Sequence, residues 1–235
     1  MRATPRVTSE RRVAGSEESG ADLVLNLETS TSGAGSGSCD LSLITLLLHL
    51  PSPLSLVTGF QLRYESTVET TREDRLNFAK HFERAQGWLL LDKFTEAITA
   101  LDELPTVFHS HPAVILLRAH VHMEAKQWAL AEPLLRLLLK NDDTEPQYWI
   151  NLAFVVRRAK SLKEAEPILQ EARQRFPKMA LIWFNLACYA AQQARVPEAH
   201  ELLREALRLE PALKEQAATD PDLVPLRNSG LKSQK

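Results

Sequence analysis

The chain has 235 residues and a formal net charge of −2, and 44% of its residues are hydrophobic and 25% are charged. Residues 72–235 hold 23 basic and 22 acidic side chains, so this part lacks the basic excess that nucleic-acid binding requires. The two cysteines, Cys39 and Cys188, cannot form a disulfide framework. A reducing compartment, and therefore the cytoplasm, is the expected location.

The first 70 residues are predicted to form a disordered extension. They hold six of the eight glycines and, at residues 29–38, a run of serine, threonine, glycine and alanine. Such a composition cannot bury enough apolar surface to offset the cost of ordering. An apolar patch follows at residues 41–62, but two prolines, a histidine and several hydroxyl groups interrupt it, which argues against a membrane span.

Three interpretations of the apolar patch remain open. It is a sticky part of a flexible extension, it precedes a natural start near Val68, or it folds back into the protein's own groove. A cleavable secretory signal is disfavoured because an acidic and glycine-rich tract separates the patch from the basic residues near the N-terminus.

From about residue 78 onward, the sequence repeats every 34 residues. Three series of identical residues have this interval: Ala97, Ala131, Ala165 and Ala199; Ala85, Ala119, Ala153 and Ala187; Leu101, Leu135, Leu169 and Leu203. Within each unit, apolar positions at helical spacing stop at a short polar joint and then resume, which predicts two antiparallel helices. The alanines are expected where the two helices touch, and larger apolar side chains fill the space between neighbouring pairs.

The repeat resembles the tetratricopeptide family, whose pattern places large, small and proline residues at given positions of a 34-residue unit. The third and fourth units match it best, through Trp149, Leu152, Ala153, Leu162, Ala165, Leu169, Ala172 and Pro177, and through Trp183, Leu186, Ala187, Ala199, Leu203, Ala206 and Pro211. The first two units match more loosely. The resemblance implies an all-α fold, a right-handed α-solenoid of four helix-turn-helix units with a C-terminal capping helix.

The predicted units occupy residues 78–111, 112–145, 146–179 and 180–211. Residues 212–227 are expected to cap the fourth unit through Leu213, Leu223, Val224 and Leu226, and residues 228–235 to form a loose tail. Residues 218–223 are similar to endings of bacterial tetratricopeptide proteins. Pro133 and Pro167 lie early in second helices, where each predicts a small kink.

The sequence contains no motif that indicates catalysis, a metal site or a cofactor. Four histidines, His109, His111, His120 and His122, lie close together in sequence. The first pair is expected in a loop, and the second pair points in different directions from one helix, which does not suit one metal ion. No phosphate-binding loop or nucleophile motif occurs, so the chain is predicted to be no enzyme.

The resemblance implies that the first helix of each unit lines a groove and contacts a ligand. The partner-binding residues implied on this chain are Phe82, Gln86, Leu116, His120, Met123, Ile150, Asn151, Phe154, Arg157, Arg158, Phe184 and Asn185. Because this wall is apolar, the expected partner is an apolar or amphipathic peptide or helix. Asn151 and Asn185 would hold its backbone, and Arg157 or Arg158 would meet an acidic side chain.

An alternative for the apolar members is that they pack inside the array. Phe82, Leu116, Ile150 and Phe184 have helical spacing that is equally typical of a core. If the groove binds a partner, replacing Phe154 by Ala or Arg157 by Glu is predicted to weaken partner capture and to leave melting unchanged.

The predicted function is that of a cytoplasmic, non-catalytic adaptor that holds a segment of a partner protein in its groove. The subclass that binds the C-terminal carboxylates of chaperone tails is not supported, because Phe82 and Gln86 stand where it needs Lys and Asn. Two alternatives remain: a chaperone that shields apolar secretion or assembly substrates, and a structural subunit that self-associates, as a homodimer for example.

Overall fold

The computed structural model describes residues 71–230, which all fall in one compact unit. The predicted disordered extension, residues 1–70, and its apolar patch lie outside this range. The α-helices are α1 (Arg72–Leu90), α2 (Phe94–Asp102), α3 (Pro112–Glu124), α4 (Trp128–Asn141), α5 (Pro146–Ala159), α6 (Leu162–Arg175), α7 (Ala180–Gln192), α8 (Val196–Leu209), α9 (Leu213–Thr219) and α10 (Val224–Gly230). Short 3-10 helices occupy Thr106–Phe108 and Pro221–Leu223.

The predicted all-α solenoid of four helix pairs is confirmed. The pairs are α1 with α2, α3 with α4, α5 with α6, and α7 with α8, and each pair also contacts the next one. The described residues contain no strand. The alanines of the first two repeat series are fully buried, as expected for small residues where helices approach closely: Ala85, Ala97, Ala119, Ala131, Ala153, Ala165, Ala187 and Ala199.

A left-handed residue ends the first helix in three of these four pairs. Asp92, Lys126 and Ala194 have φ values of 56°, 57° and 59°, and they lie at the same phase of the repeat. In each case, the amide of the following residue donates to the carbonyl five positions earlier, which satisfies an otherwise unpaired helix end. In the third pair, the turn differs, and Ser161 caps α6 by accepting a hydrogen bond from the amide of Glu164 at 3.3 Å.

The two predicted kink prolines lie within continuous helices. Pro133 is the sixth residue of α4 and Pro167 the sixth of α6, and both are exposed. A proline cannot donate a backbone hydrogen bond, so the carbonyl four residues earlier loses its helical donor. Because Ala129 and Lys163, which carry these carbonyls, are themselves exposed, water can take the place of that donor.

Helix α3 separates two apolar clusters. On one side, Val114, Leu117 and Val121 pack into the cluster of the first helix pair. On another side, Ile115, Ala119 and Met123 belong to the larger cluster that extends to the C-terminal helices. The second pair therefore connects the first pair to the remainder of the array.

The C-terminal part covers the last helix pair. Leu213, Leu223 and Leu226 are buried against it, as predicted, whereas Val224 is 40% exposed and does not contribute to the cap. Helix α10 continues to Gly230, so the expected loose tail is helical over its first three residues. At the other end, α1 begins at Arg72, six residues before the predicted first unit.

Candidate protein-binding surface

The inner wall is the surface formed by the first helices of the four pairs, α1, α3, α5 and α7. All twelve predicted partner-binding residues lie on these helices, but their exposure divides them into two groups. Seven are buried: Phe82, His120, Met123, Ile150, Asn151, Phe184 and Asn185. Five are partly exposed: Gln86, Leu116, Phe154, Arg157 and Arg158.

The buried aromatic side chains of the wall contribute to the core. Phe82 and Phe184 occupy the same repeat position and are fully buried, and Ile150 at the same position is nearly so. Leu116, the fourth member of this set, is half-buried at the edge of the larger cluster. A partner cannot reach the three buried side chains unless helices move, so they stabilise the array and do not offer a surface.

A chain of polar contacts, buried at His120 and Asn151, connects the second and third units. The Gln147 side-chain amide donates to Oδ1 of Asn151 at 2.9 Å, and Nδ2 of Asn151 lies 3.1 Å from Nε2 of His120. The Asn151 amide is therefore engaged inside the wall, which leaves little of it to hold a partner's backbone. Burial lowers the pKa of His120 to about 4, so this ring is neutral at pH 7.

Arg157 pairs with an acidic side chain of its own chain. Its guanidinium donates to Oδ2 of Asp222 at 2.7 Å and lies 5.2 Å from the centre of the Tyr189 ring. Arg157 is 11% exposed and Asp222 is fully buried. Arg157→Glu would place two like charges together inside the protein, so this change is now expected to lower the melting temperature, in contrast to the expectation from the sequence.

Arg158, one residue further along α5, has different neighbours. Its guanidinium lies 5.3 Å from the centre of the Phe154 ring, and that ring meets the Trp128 ring edge-on at 5.8 Å. All three side chains are partly exposed. We call Trp128, Phe154 and Arg158 the aromatic patch; it joins two apolar rings to a cation at the contact between the second and third units.

Two residues that matter for the wall, Trp128 and Asp222, were not predicted from the sequence. Trp128 begins α4, which is not a wall helix, and it reaches the wall through its contact with Phe154. Asp222 is 65 residues from Arg157, and Gln192 donates to the Asp222 carbonyl at 3.1 Å. No sequence pattern linked Asp222 to Arg157 across this separation.

One group of possible metal ligands occurs in the described part of the chain. The Cys188 sulfur and the carboxylates of Asp220 and Asp222 lie within 4.8 Å of one another, and all three residues are buried. The Asp222 carboxylate already has Arg157 as its cation, and Asp220 accepts a hydrogen bond from the Asp222 amide at 2.8 Å. These groups therefore serve to hold the chain in place.

Among residues 71–230, no helix has the length and apolar composition needed to cross a membrane.

Comparison with solved structures decides the type of fold. A structure titled as a TPR protein with an unusual peptide-binding site, YrrB, matches with a TM-score of 0.50 and 15% identity, over 81% of this chain and 87% of its own. The chain has a tetratricopeptide-repeat fold. MamA from Desulfovibrio magneticus RS-1, residues 41 to the end, matches with a TM-score of 0.51 and 15% identity, over 70% of this chain and 98% of its own.

A further structure, titled MamA MSR-1 C2, agrees with this tetratricopeptide-repeat assignment of the fold. Its TM-score is 0.50 at 12% identity, over 68% of this chain and 93% of its own. No protein-family model matches the sequence, and no curated protein matches it. At these identities the similarity concerns the backbone arrangement, so the function has to be argued from the side chains of the wall.

Proposed function

We propose that the protein is a non-catalytic scaffold that holds a peptide or a helix of a partner protein against its inner wall. The observation that carries this proposal is the aromatic patch. Two partly exposed rings next to a guanidinium offer apolar contact area and a positive charge at one place. Most other apolar side chains of the wall are buried, which concentrates the available contact area here.

The patch favours an amphipathic partner. An aliphatic or aromatic side chain of the partner would pack against Phe154 and Trp128, and a neighbouring carboxylate would pair with Arg158. The accessible wall continues towards the first two units through Leu116 and Gln86, so an extended segment or one face of a helix is a suitable ligand. That YrrB is described as having a peptide-binding site supports this use of the fold.

A reducing compartment suits this scaffold, and we place it in the cytoplasm. Cys188, the cysteine within the described residues, is buried in α7. A buried thiol of this kind packs as a small apolar side chain and needs no oxidising environment.

The proposal is tested by affinity capture with the full chain as bait. Arg158→Glu reverses the charge of the patch and should remove the captured partner, while Phe154→Ala should reduce capture strongly because it deletes the central ring. Lys163→Glu is the matched control, since Lys163 is an exposed cation on the outer helix α6 and the charge change is identical.

Far-UV circular dichroism of each bait has to show native helix content before the captures are compared. Equal recovery of the same partner by the wild-type chain, Arg158→Glu and Lys163→Glu would refute the aromatic patch as the binding surface.

A second candidate function is self-association. Leu130 and Leu137 lie one above the other on α4, and both are exposed. Exposed leucines on one helix face are typical of an interface between protein chains. Light scattering of the full chain and of the Leu130→Glu variant tests this: a dimer that the substitution converts to a monomer supports self-association, and a monomer in both forms argues against it.

A further inference from the structure

The residues after the fourth unit fold back onto the inner wall. Helix α9 follows α8, and the 3-10 helix Pro221–Leu223 then packs against α7, which is the last helix of the wall. We call residues 220–226 the C-terminal clip. Two of its residues, Pro221 and Val224, are exposed, whereas Asp220, Asp222, Leu223 and Leu226 are buried.

The wall contacts the clip through three different groups. Arg157 of α5 binds the Asp222 carboxylate at 2.7 Å, and the Tyr189 ring lies beside the same guanidinium. Gln192 of α7 donates to the Asp222 backbone carbonyl at 3.1 Å. The Leu223 side chain is 1% exposed and belongs to the larger apolar cluster. A carboxylate, a backbone carbonyl and a leucine are thus each recognised separately.

Protein grooves recognise short peptides through the same combination of contacts. The backbone contact supplies affinity for any sequence, and the cation and the apolar pocket select an acidic residue followed by leucine. A simple hydrophobic cap needs the leucine but not the buried ion pair, because a buried pair costs desolvation and contributes little net stability. The Arg157–Asp222 ion pair therefore contributes specificity for the segment that binds this part of the inner wall.

The clip is also placed where local opening is possible. It lies beyond the last helix pair of the described array, and the seven-residue helix α9 connects it to α8. Terminal elements of a repeat array open at lower free energy than the centre, since they have a neighbour on one side.

We propose that the wall between α5 and α7 is a peptide-binding site for a partner segment that carries aspartate followed directly by leucine, and that the protein's own clip occupies this site until such a partner displaces it. This site is additional to the proposed function, because Arg157 faces the clip and the fourth unit, whereas the aromatic patch faces the second unit. The clip then acts as an internal competitor.

The test uses the full chain and a labelled synthetic peptide with the sequence of residues 218–228. In the wild-type chain, the tethered clip has an effective concentration in the millimolar range, so the peptide should bind weakly. In the full-length double variant Asp222→Ala, Leu223→Ala, the clip is weakened, and the peptide should bind about tenfold or more tightly by fluorescence anisotropy.

Two changes identify the site in this assay. Adding Arg157→Glu to the double variant should abolish peptide binding, whereas adding Arg158→Glu should leave it unchanged. The second result separates this site from the aromatic patch, so that failure of one proposal does not imply failure of the other. A peptide with alanine in place of both its aspartate at position 222 and its leucine is the matched negative control and should bind no form of the chain.

Hydrogen exchange of the wild-type chain provides a measurement that does not depend on a variant folding. Amides of the clip should exchange at least tenfold faster than those of α8, and excess peptide should accelerate them further as it displaces the clip. If clip amides exchange as slowly as those of α8, the segment is a permanent cap and the proposal fails. Absence of peptide binding to a natively helical double variant overturns it equally.

Discussion

The first and the last helices of the inner wall have the same role in the repeat but differ in how much of their surface the described residues cover. In α1, four of 19 residues are buried, and in α7, ten of 13 are buried. Helix α7 contacts α6, α8 and the clip, so packing surrounds it, whereas α1 begins the described array. Position along the stack, and not repeat phase, therefore determines how much of a wall helix remains available.

The residues that the two helices share show the same point. Phe82 and Phe184 occupy one repeat position, and both are fully buried. Four residues further along the helix, Gln86 of α1 stays partly exposed, whereas Cys188 of α7 is covered by the clip region. The repeat motif explains why Phe82 and Phe184 are both buried. The neighbouring segments explain why Gln86 and Cys188 differ in exposure.

The largest expected effect on stability is that of Phe184→Ala. Removing a fully buried ring leaves a cavity, so the free energy of unfolding should fall by about 3–5 kcal/mol in urea titrations followed by circular dichroism. Phe82→Ala removes an equally buried ring from the first helix pair of the described array. It should mainly accelerate hydrogen exchange in α1 and α2 and shift the main transition less. Equal shifts of the main transition would mean that both ends unfold as one cooperative unit.

The next largest expected effect is that of pH on the free energy of unfolding, through the buried histidines of the second unit. Burial lowers the pKa of His120 from 6.5 to about 4, so the unfolded chain binds a proton at pH 5 that the folded chain rejects. The free energy of unfolding should therefore fall as the pH drops below about 6.5. At pH 5, His120 should account for a loss of about 2 kcal/mol. His111, which is buried at the start of α3 and has its pKa lowered to about 4 for the same reason, adds a loss in the same direction.

The variant His120→Gln isolates the contribution of one histidine. Its loss of stability between pH 7 and pH 5 in urea titrations should be about 2 kcal/mol smaller than that of the wild-type chain. An identical pH dependence of the two proteins would show that His120 is protonated in the folded state.

A smaller effect is expected at the start of α1. Thr71 and Asp74 form a capping box, in which the Thr71 hydroxyl oxygen accepts from the Asp74 amide at 3.1 Å and an Asp74 carboxylate oxygen accepts from the Thr71 amide at 2.9 Å. Thr71→Ala should cost about 1 kcal/mol, seen as faster hydrogen exchange in the first turns of α1. Thr95→Ala, at an exposed site on α2, is the control and should leave those amides unchanged.

The smallest effect is expected at Leu76, which is 62% exposed on α1. Leu76→Ala should change the free energy of unfolding by less than about 0.5 kcal/mol, because little apolar contact is lost. A loss above 1 kcal/mol in urea titrations would show that part of the chain outside residues 71–230 covers this face, and it would remove the contrast between α1 and α7.

The repeat pattern predicted most of the fold because it consists of packing residues. Ala131 and Ala165 are small because helices touch there, and that requirement recurs with the 34-residue period regardless of what lies further along the chain. The start of α1 was predicted six residues too late for the same reason. Residues 72–77 precede the first repeat unit, so they carry no periodic signal, and the Thr71 cap determines the helix start instead.

The binding surface was much less predictable. Arg157 and Arg158 are neighbours with identical charges, and the sequence offered no way to distinguish them. The structure assigns them to different neighbours because successive residues of a helix point about 100° apart. Arg157 is thereby directed to Asp222, which is remote in sequence, and Arg158 to Phe154, which lies one helical turn before it.

By itself, the sequence determined that this protein is an array of four helix pairs, since a periodic alternation of small and large side chains has one efficient way to pack. The tertiary structure alone decided which wall residues are accessible and which acidic group neutralises Arg157. Those properties depend on contacts between segments dozens of residues apart, such as α5 and the clip, and the exposure of a side chain is a property of everything packed around it.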